Sequence, residues 1–179
     1  WKDHLVAADF DTSWVETPAV ISLETADLKV ESGSDSLVVA LANECRIARD
    51  WKKALWLNRP TPGEDEHASF DCHMSGNLVT WQQRILGLGT AGGFQHRWPE
   101  VPVAGNFESS WTLGCVGQQF QITKATGHIE QFSLHSGKHH IEEPRVVIAA
   151  VGSIDPTREM IRLSSAEVLS STVSLRTNG

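Results

Sequence analysis

The chain has 179 residues, 40% of them hydrophobic and 21% charged, and carries a formal net charge of −7. That is ordinary globular composition, enough for one domain with a sizeable core. With no block of Lys or Arg to track a phosphate backbone, nucleic acid is not expected as a partner, and no apolar run approaches the roughly 18 residues of a membrane-spanning helix.

In chain order, Trp1 to about Pro18 is rich in Asp and Trp without clear periodicity. It reads as an N-terminal arm whose Phe10 and Trp14 pack onto the body of the domain. The chain opens at Trp1 with neither Met nor a leader, so it is expected to be an excised domain whose compartment is not legible. Ser36-Leu-Val-Val-Ala-Leu-Ala42 is a compact apolar run, and Arg46-Ile-Ala-Arg-Asp-Trp51 begins to alternate. Strand-length runs follow at Leu55–Leu57, Ser69–Met74, Leu78–Gln83, Gln119–Thr123 and Val146–Val151, most of them separated by Gly, Pro, Asn or Asp clusters. Many short strands with frequent turn signals predict a sandwich or barrel. Thr61–His67 reads as a solvated acidic loop, and Gly87 to Gly105 as a long connection, either functional or mobile. Turns are expected at Thr126-Gly127 and Ser136-Gly137. The segment from Asp155-Pro156 onward carries an N-cap and an N1 proline before Met160, Ile161 and Val168, and propensity alone slightly favours helix there.

Three widely spaced cysteines, Cys45, Cys72 and Cys115, make neither a disulfide framework nor a metal knuckle. One pair with a free thiol, or three free thiols, both fit. Asn-x-Ser/Thr does not occur, so glycosylation gives no clue to the compartment. Gly87-Leu-Gly89-Thr-Ala-Gly92 matches the dinucleotide fingerprint letter for letter, yet Gly93-Phe-Gln-His-Arg-Trp-Pro99 cannot open the helix that would hold a pyrophosphate. It reads as a loop, and no cofactor is expected. His135, His139 and His140 with Glu142 and Glu143 suggest a metal, but neighbours on a strand point to opposite faces, so a solvated hairpin rim without metal is the reading. No Gly-x-Ser-x-Gly elbow occurs, and Cys72 and His73 face apart. The carboxylate pairs Glu44 with Asp50, or Asp71 with Glu100, are conceivable for glycoside hydrolysis, but nothing selects them. An enzyme is not expected.

The remaining constellation suits a saccharide, which needs an aromatic ring to stack on and a fork of amide, guanidinium and carboxylate groups. Ala54-Leu-Trp56-Leu-Asn58-Arg59-Pro60, Ser69-Phe-Asp71-Cys-His73 and Trp81-Gln-Gln-Arg84 follow one another in the order of the ligand strands of galectins, which the chain resembles over about Val20 to Val173. Asn58 takes the family's Asn place, Trp56 replaces its His, Arg59-Pro60 inverts Pro-Arg, and Arg84 stands where its Glu would be. Ala26–Leu41 resembles the family's opening turn and strand; Phe120–His140, Ser153–Asp155 and Met160–Val168 resemble its closing half. The resemblance implies an all-β, antiparallel jelly-roll β-sandwich (galectin- or concanavalin-like), with an arm at 1–18, the domain at 19–175 and a tail at 176–179. It also implies a turn and strand, not a helix, after Asp155. Core positions are then Leu37, Val39, Leu41, Ile47, Leu55, Leu57, Phe70, Phe120, Ile122, Phe132, Leu134, Val147, Ile161 and Leu163.

The expected function is a non-enzymatic recognition module with a decayed galactoside site, holding a protein partner or adhesive surface. A lectin of altered specificity for a cell-surface glycan is the alternative, with a glycoside hydrolase behind it. The candidate carbohydrate-binding residues are Trp56, Asn58, Arg59, His73, Trp81 and Arg84. A candidate interaction loop carries Phe94, Arg97 and Trp98, whose aromatic-plus-Arg composition is that of interface hot spots. The resemblance slightly favours extracellular exposure.

Overall fold

A computed structural model describes residues 6–17, 20–43, 45–48, 67–91, 102–116, 119–136, 139–155 and 160–178. Among the described residues ten strands run in chain order: β1 (Ala7–Glu16), β2 (Val20–Ser32), β3 (Asp35–Leu41), β4 (Cys45–Ala48), β5 (His67–Asn77), β6 (Val103–Val116), β7 (Gln119–Ser136), β8 (His139–Asp155), β9 (Met160–Leu169) and β10 (Ser174–Asn178). Among the described residues one helix, α1 (Leu78–Ala91), interrupts them. The protein is nearly all-β, as its alternating short runs predict. All ten strands belong to one antiparallel sheet, in which nine follow the path β1-β2-β3-β5-β6-β7-β8-β9-β10 and β4 pairs with β2 beside that path.

Residues directly opposite each other across antiparallel strands share a face, so the register divides the side chains cleanly. One row reads Phe10, Leu28, Val39, Cys72, Trp111, Ala125, Ala150, Ala166, Thr177 from β1 to β10. The row behind it reads Asp9, Lys29, Val38, His73, Ser110, Thr126, Ala149, Glu167, Arg176. The sheet therefore has an apolar face and a largely polar one. The expected inward set of β3 lies on the apolar face: Leu37 meets Met74, Val39 meets Cys72, and Leu41 meets Phe70.

Several expectations are corrected. Leu78–Gln83 is not a strand but the start of α1. The Asn77 carboxamide oxygen accepts from the amides of Val79 (3.0 Å) and Thr80 (3.4 Å), capping the helix, and Leu78, Trp81, Ile85 and Leu88 recur at helical spacing. Gly87 to Ala91 accordingly belongs to that helix and not to a loop; the helix precedes the last glycine of the fingerprint, the wrong order for a pyrophosphate cradle. No turn occurs at Thr126-Gly127, where β7 runs straight through. Gly127 is required there because a Cβ would sit 2.9 Å from the Glu108 carbonyl oxygen. Phe10 and Trp14 do not pack down: 67% and 58% exposed, they stand on the edge strand β1. Val147 is exposed and its neighbour Val146 buried, a one-residue slip that inverts the face. Leu163 is likewise exposed. After Asp155 the chain returns as strand β9, since pairing with both β8 and β10 outweighs local helix propensity. Cys45 and Cys72 are both buried. Leu55 and Leu57 lie outside the described residues. Among the described residues no helix is long and apolar enough to cross a membrane.

Candidate functional site

Trp81 and Arg84 sit together on α1. The Trp81 indole Nε1 donates to the Ser75 carbonyl oxygen (3.0 Å), and its ring meets Phe107 edge-on at 6.3 Å. The Arg84 guanidinium lies over the same indole, 5.1 Å from its centroid, and pairs with the Asp35 carboxylate at 2.8 Å. Both partners of that pair are nearly enclosed, with side chains 10% and 5% exposed. Asp35 also accepts from the Asn77 amide (2.9 Å), immediately before the helix. Close by, Gly76 has φ of +139°, and a Cβ there would overlap the Asp35 carboxylate. These contacts fasten α1 to the sheet.

His73 is elsewhere. It stands on the polar face, opposite Ser110, whereas Phe107, the ring that Trp81 touches, lies on the apolar face. The His73 Nδ1 and Ser110 Oγ are 3.1 Å apart, and its Nε2 is 3.8 Å from Glu108. One step along the strands, Thr112 Oγ1 donates to Asp71 Oδ1 at 2.8 Å. Asp71, His73, Ser110 and Thr112, with Val38, Ala40, Lys124 and Thr126, line a shallow depression of about 340 Å³. Lys124 and Thr126 also line a second depression of about 380 Å³ that continues over Ala149, Val151 and Ser165 to Glu167, Arg176 and Asn178. Arg176 binds Glu167 at 2.6 Å through both Nε and a terminal nitrogen. The result is a broad trough of hydroxyl, carboxylate, imidazole, ammonium, guanidinium and amide groups. Further along the same face Glu31 pairs with Lys29 (2.9 Å), and its hydrogen bond and charge hold the ammonium above its ordinary pKa.

Of the six candidate sugar residues, Trp56, Asn58 and Arg59 lie outside the described residues, as do Phe94, Arg97 and Trp98 of the candidate loop. Glu44, Asp50 and Glu100, named for hydrolysis, lie outside them too. Comparison with protein-family models, with curated proteins and with solved structures finds no match. The fold and the trough therefore speak for themselves.

Sequence reasoning missed Ser110, Thr112 and Lys124. A signal was present: Asp71 and His73 on one strand, Ser110 and Thr112 on the next, alternate with apolar residues at the period of two. Chemically the trough can divide polar hydroxyls or an extended polar chain. The Ser110–His73–Glu108 line resembles an acyl-transfer relay, but the imidazole bonds the hydroxyl through Nδ1 and stands 3.8 Å from the carboxylate, beyond hydrogen-bond length. Backbone amides in the middle of a sheet are spent on the ladder and cannot form an oxyanion hole. Among the described residues, no three His, Cys, Asp or Glu side chains group closely enough to hold a metal ion.

A separate polar cluster ties the closing hairpin. The buried Glu143 carboxylate accepts from the Ser171 hydroxyl (2.5 Å), the Ser171 amide (3.1 Å) and the Thr172 hydroxyl. The Ser171 hydroxyl, followed by that of Thr172, holds its pKa below the ordinary carboxylate value, since these donors stabilise the ionised form.

Proposed function

We propose that this chain is a non-enzymatic recognition module of galectin-like type whose galactoside site has decayed, and that it holds a protein partner or adhesive surface. The observation that carries the reading is the commitment of Trp81 and Arg84 to the helix latch. A stacking ring and an orienting guanidinium serve a sugar only when both are free to face it, and here they are bound to Phe107, Ser75 and Asp35. The jelly-roll sandwich belongs to the same proposal. Phe10, Ile148, Leu163 and Leu175 are exposed, and apolar surface of this extent seeks cover, which the second sheet of a sandwich would give.

A specific observation favours the second reading, a lectin of altered specificity. The trough around Asp71, His73, Ser110, Thr112 and Lys124 carries the donors and acceptors that sugar hydroxyls need. A glycan array with the wild-type chain, Trp81→Ala and His73→Ala decides. The recognition reading expects no saturable glycan binding and capture of a protein partner. Saturable glycan binding by the wild-type chain sinks it; loss of that binding on His73→Ala in a folded chain establishes the lectin of the trough.

A further inference from the structure

We propose that the tip of the β7–β8 hairpin is a two-imidazole clamp for a borderline divalent transition metal, with Cu²⁺ and Ni²⁺ the best-fitting ions. His135 and His140 are directly opposite across the two strands. Side chains so placed start from Cβ atoms about 4.5–5.5 Å apart. Their rings lie face to face, with centroids 3.9 Å apart and planes 25° from parallel.

One ion with metal–nitrogen bonds of about 2.0–2.1 Å holds two cis imidazole nitrogens roughly 3 Å apart. The strands have already brought the rings to that range. Turning the lone pairs from side by side to convergent needs only rotation about the side-chain bonds of two exposed residues. The loop-closure entropy of gathering two ligands is therefore met by the hairpin, and water fills the remaining positions. Two neutral imidazoles with open tetragonal sites suit Cu²⁺ and Ni²⁺, and the Irving–Williams order puts Cu²⁺ first.

Glu142 supplies the outer support that a metal-bound histidine uses. Its Oε1 is 3.1 Å from His140 Nε2, on the same strand face two residues on. When Nε2–H donates to that carboxylate, Nδ1 is left as the lone-pair nitrogen. A solvated rim remains the right description of the apo hairpin.

The test titrates Cu²⁺ or Ni²⁺ chloride into the metal-free chain by calorimetry, with electron paramagnetic resonance of the Cu²⁺ form. The clamp predicts one ion per chain and hyperfine structure from two equatorial nitrogens. His135→Gln and His140→Gln should each weaken binding by about 100-fold or more, and Glu142→Gln by about tenfold, the low end of the roughly 10–100-fold that loss of outer-shell support costs. His128→Gln, on the same hairpin but far from its tip, should leave affinity unchanged. Circular dichroism verifies that each variant folds. Affinity unchanged in both tip variants, a single-nitrogen spectrum, or absence of saturable binding overturns the proposal.

Discussion

The pair Asp35–Arg84 is expected to be the strongest single polar contribution to the attachment of α1. Asp35→Asn keeps the size of the side chain and an oxygen for the Asn77 amide, and removes only the charge. It leaves the Arg84 guanidinium, 10% exposed, without its carboxylate. Removing one partner of a buried ion pair costs about 3–5 kcal/mol, because the surviving charge loses its counter-ion where water reaches it poorly. For a chain of this length each kcal/mol lowers the melting temperature by about 2–4 °C, so a fall on the order of 6–20 °C is expected. Arg84→Met should cost a similar amount, while retaining apolar contact with the Trp81 face. The double variant should cost clearly less than the sum, with a coupling of about 1–3 kcal/mol, since neither charge is then stranded. Urea titration of the four proteins measures the cycle. A loss below about 1 kcal/mol for Asp35→Asn, or additivity in the double variant, refutes the latch.

Other outcomes follow from the same contacts. Gly76→Ala should destabilise by at least about 1–3 kcal/mol in urea titration, because an L-residue at its positive φ is strained and the new methyl overlaps Asp35. The Glu143 pKa is depressed in the folded chain, so its contribution to stability is present above the unfolded value, about 4.3, and disappears as pH falls through the folded one. Amide exchange protection in the β9–β10 hairpin should therefore drop below about pH 4 in the wild type, and Glu143→Gln should remove that acid step. His73→Ala combined with Asp71→Asn should leave the melting temperature within about 2 °C, as exposed polar changes do, while weakening any ligand of the trough. Trp81→Ala should instead cost about 3 kcal/mol and act on binding only through the fold, which thermal melts and binding curves on the same samples separate.

Much of the sheet was legible because alternation is a local property. Leu37, Val39 and Leu41 announce their face without reference to the rest of the chain, and β5 answers them with Phe70, Cys72 and Met74. The helix was hidden by a competing local signal: Leu-Val-Thr-Trp is β-prone, and the decision lies with Asn77, whose side chain caps the first turn. Val147 was misplaced because Val146-Val-Ile is apolar on both parities, so only the partner strand, with Ile129 opposite Val146, fixes which residue turns inward. The roles of Trp81 and Arg84 depend on Asp35, more than 40 positions earlier, which no short motif can convey.

The trough depends on a feature that alternation conceals. Thr112 stands opposite Lys124 while Leu113 stands opposite Ile122, so Thr123 is an extra residue on β7. On an unbroken strand Ile122 and Lys124 would share a face, which would put an ammonium into the apolar layer beside Trp111 and Leu113. The bulge resolves that conflict: Ile122 stays with Leu113, and Lys124 turns to the polar face, between the two depressions. The pairing with β8 slips at the same place, passing from Ile122 opposite Gly152 to Ala125 opposite Ala150. A strand that carries an irregularity keeps it against the cost of lost ladder bonds. Here the return is a cation at the centre of an otherwise carboxylate- and hydroxyl-bearing surface, which lets a net acidic protein present a mixed-charge trough to a polar partner.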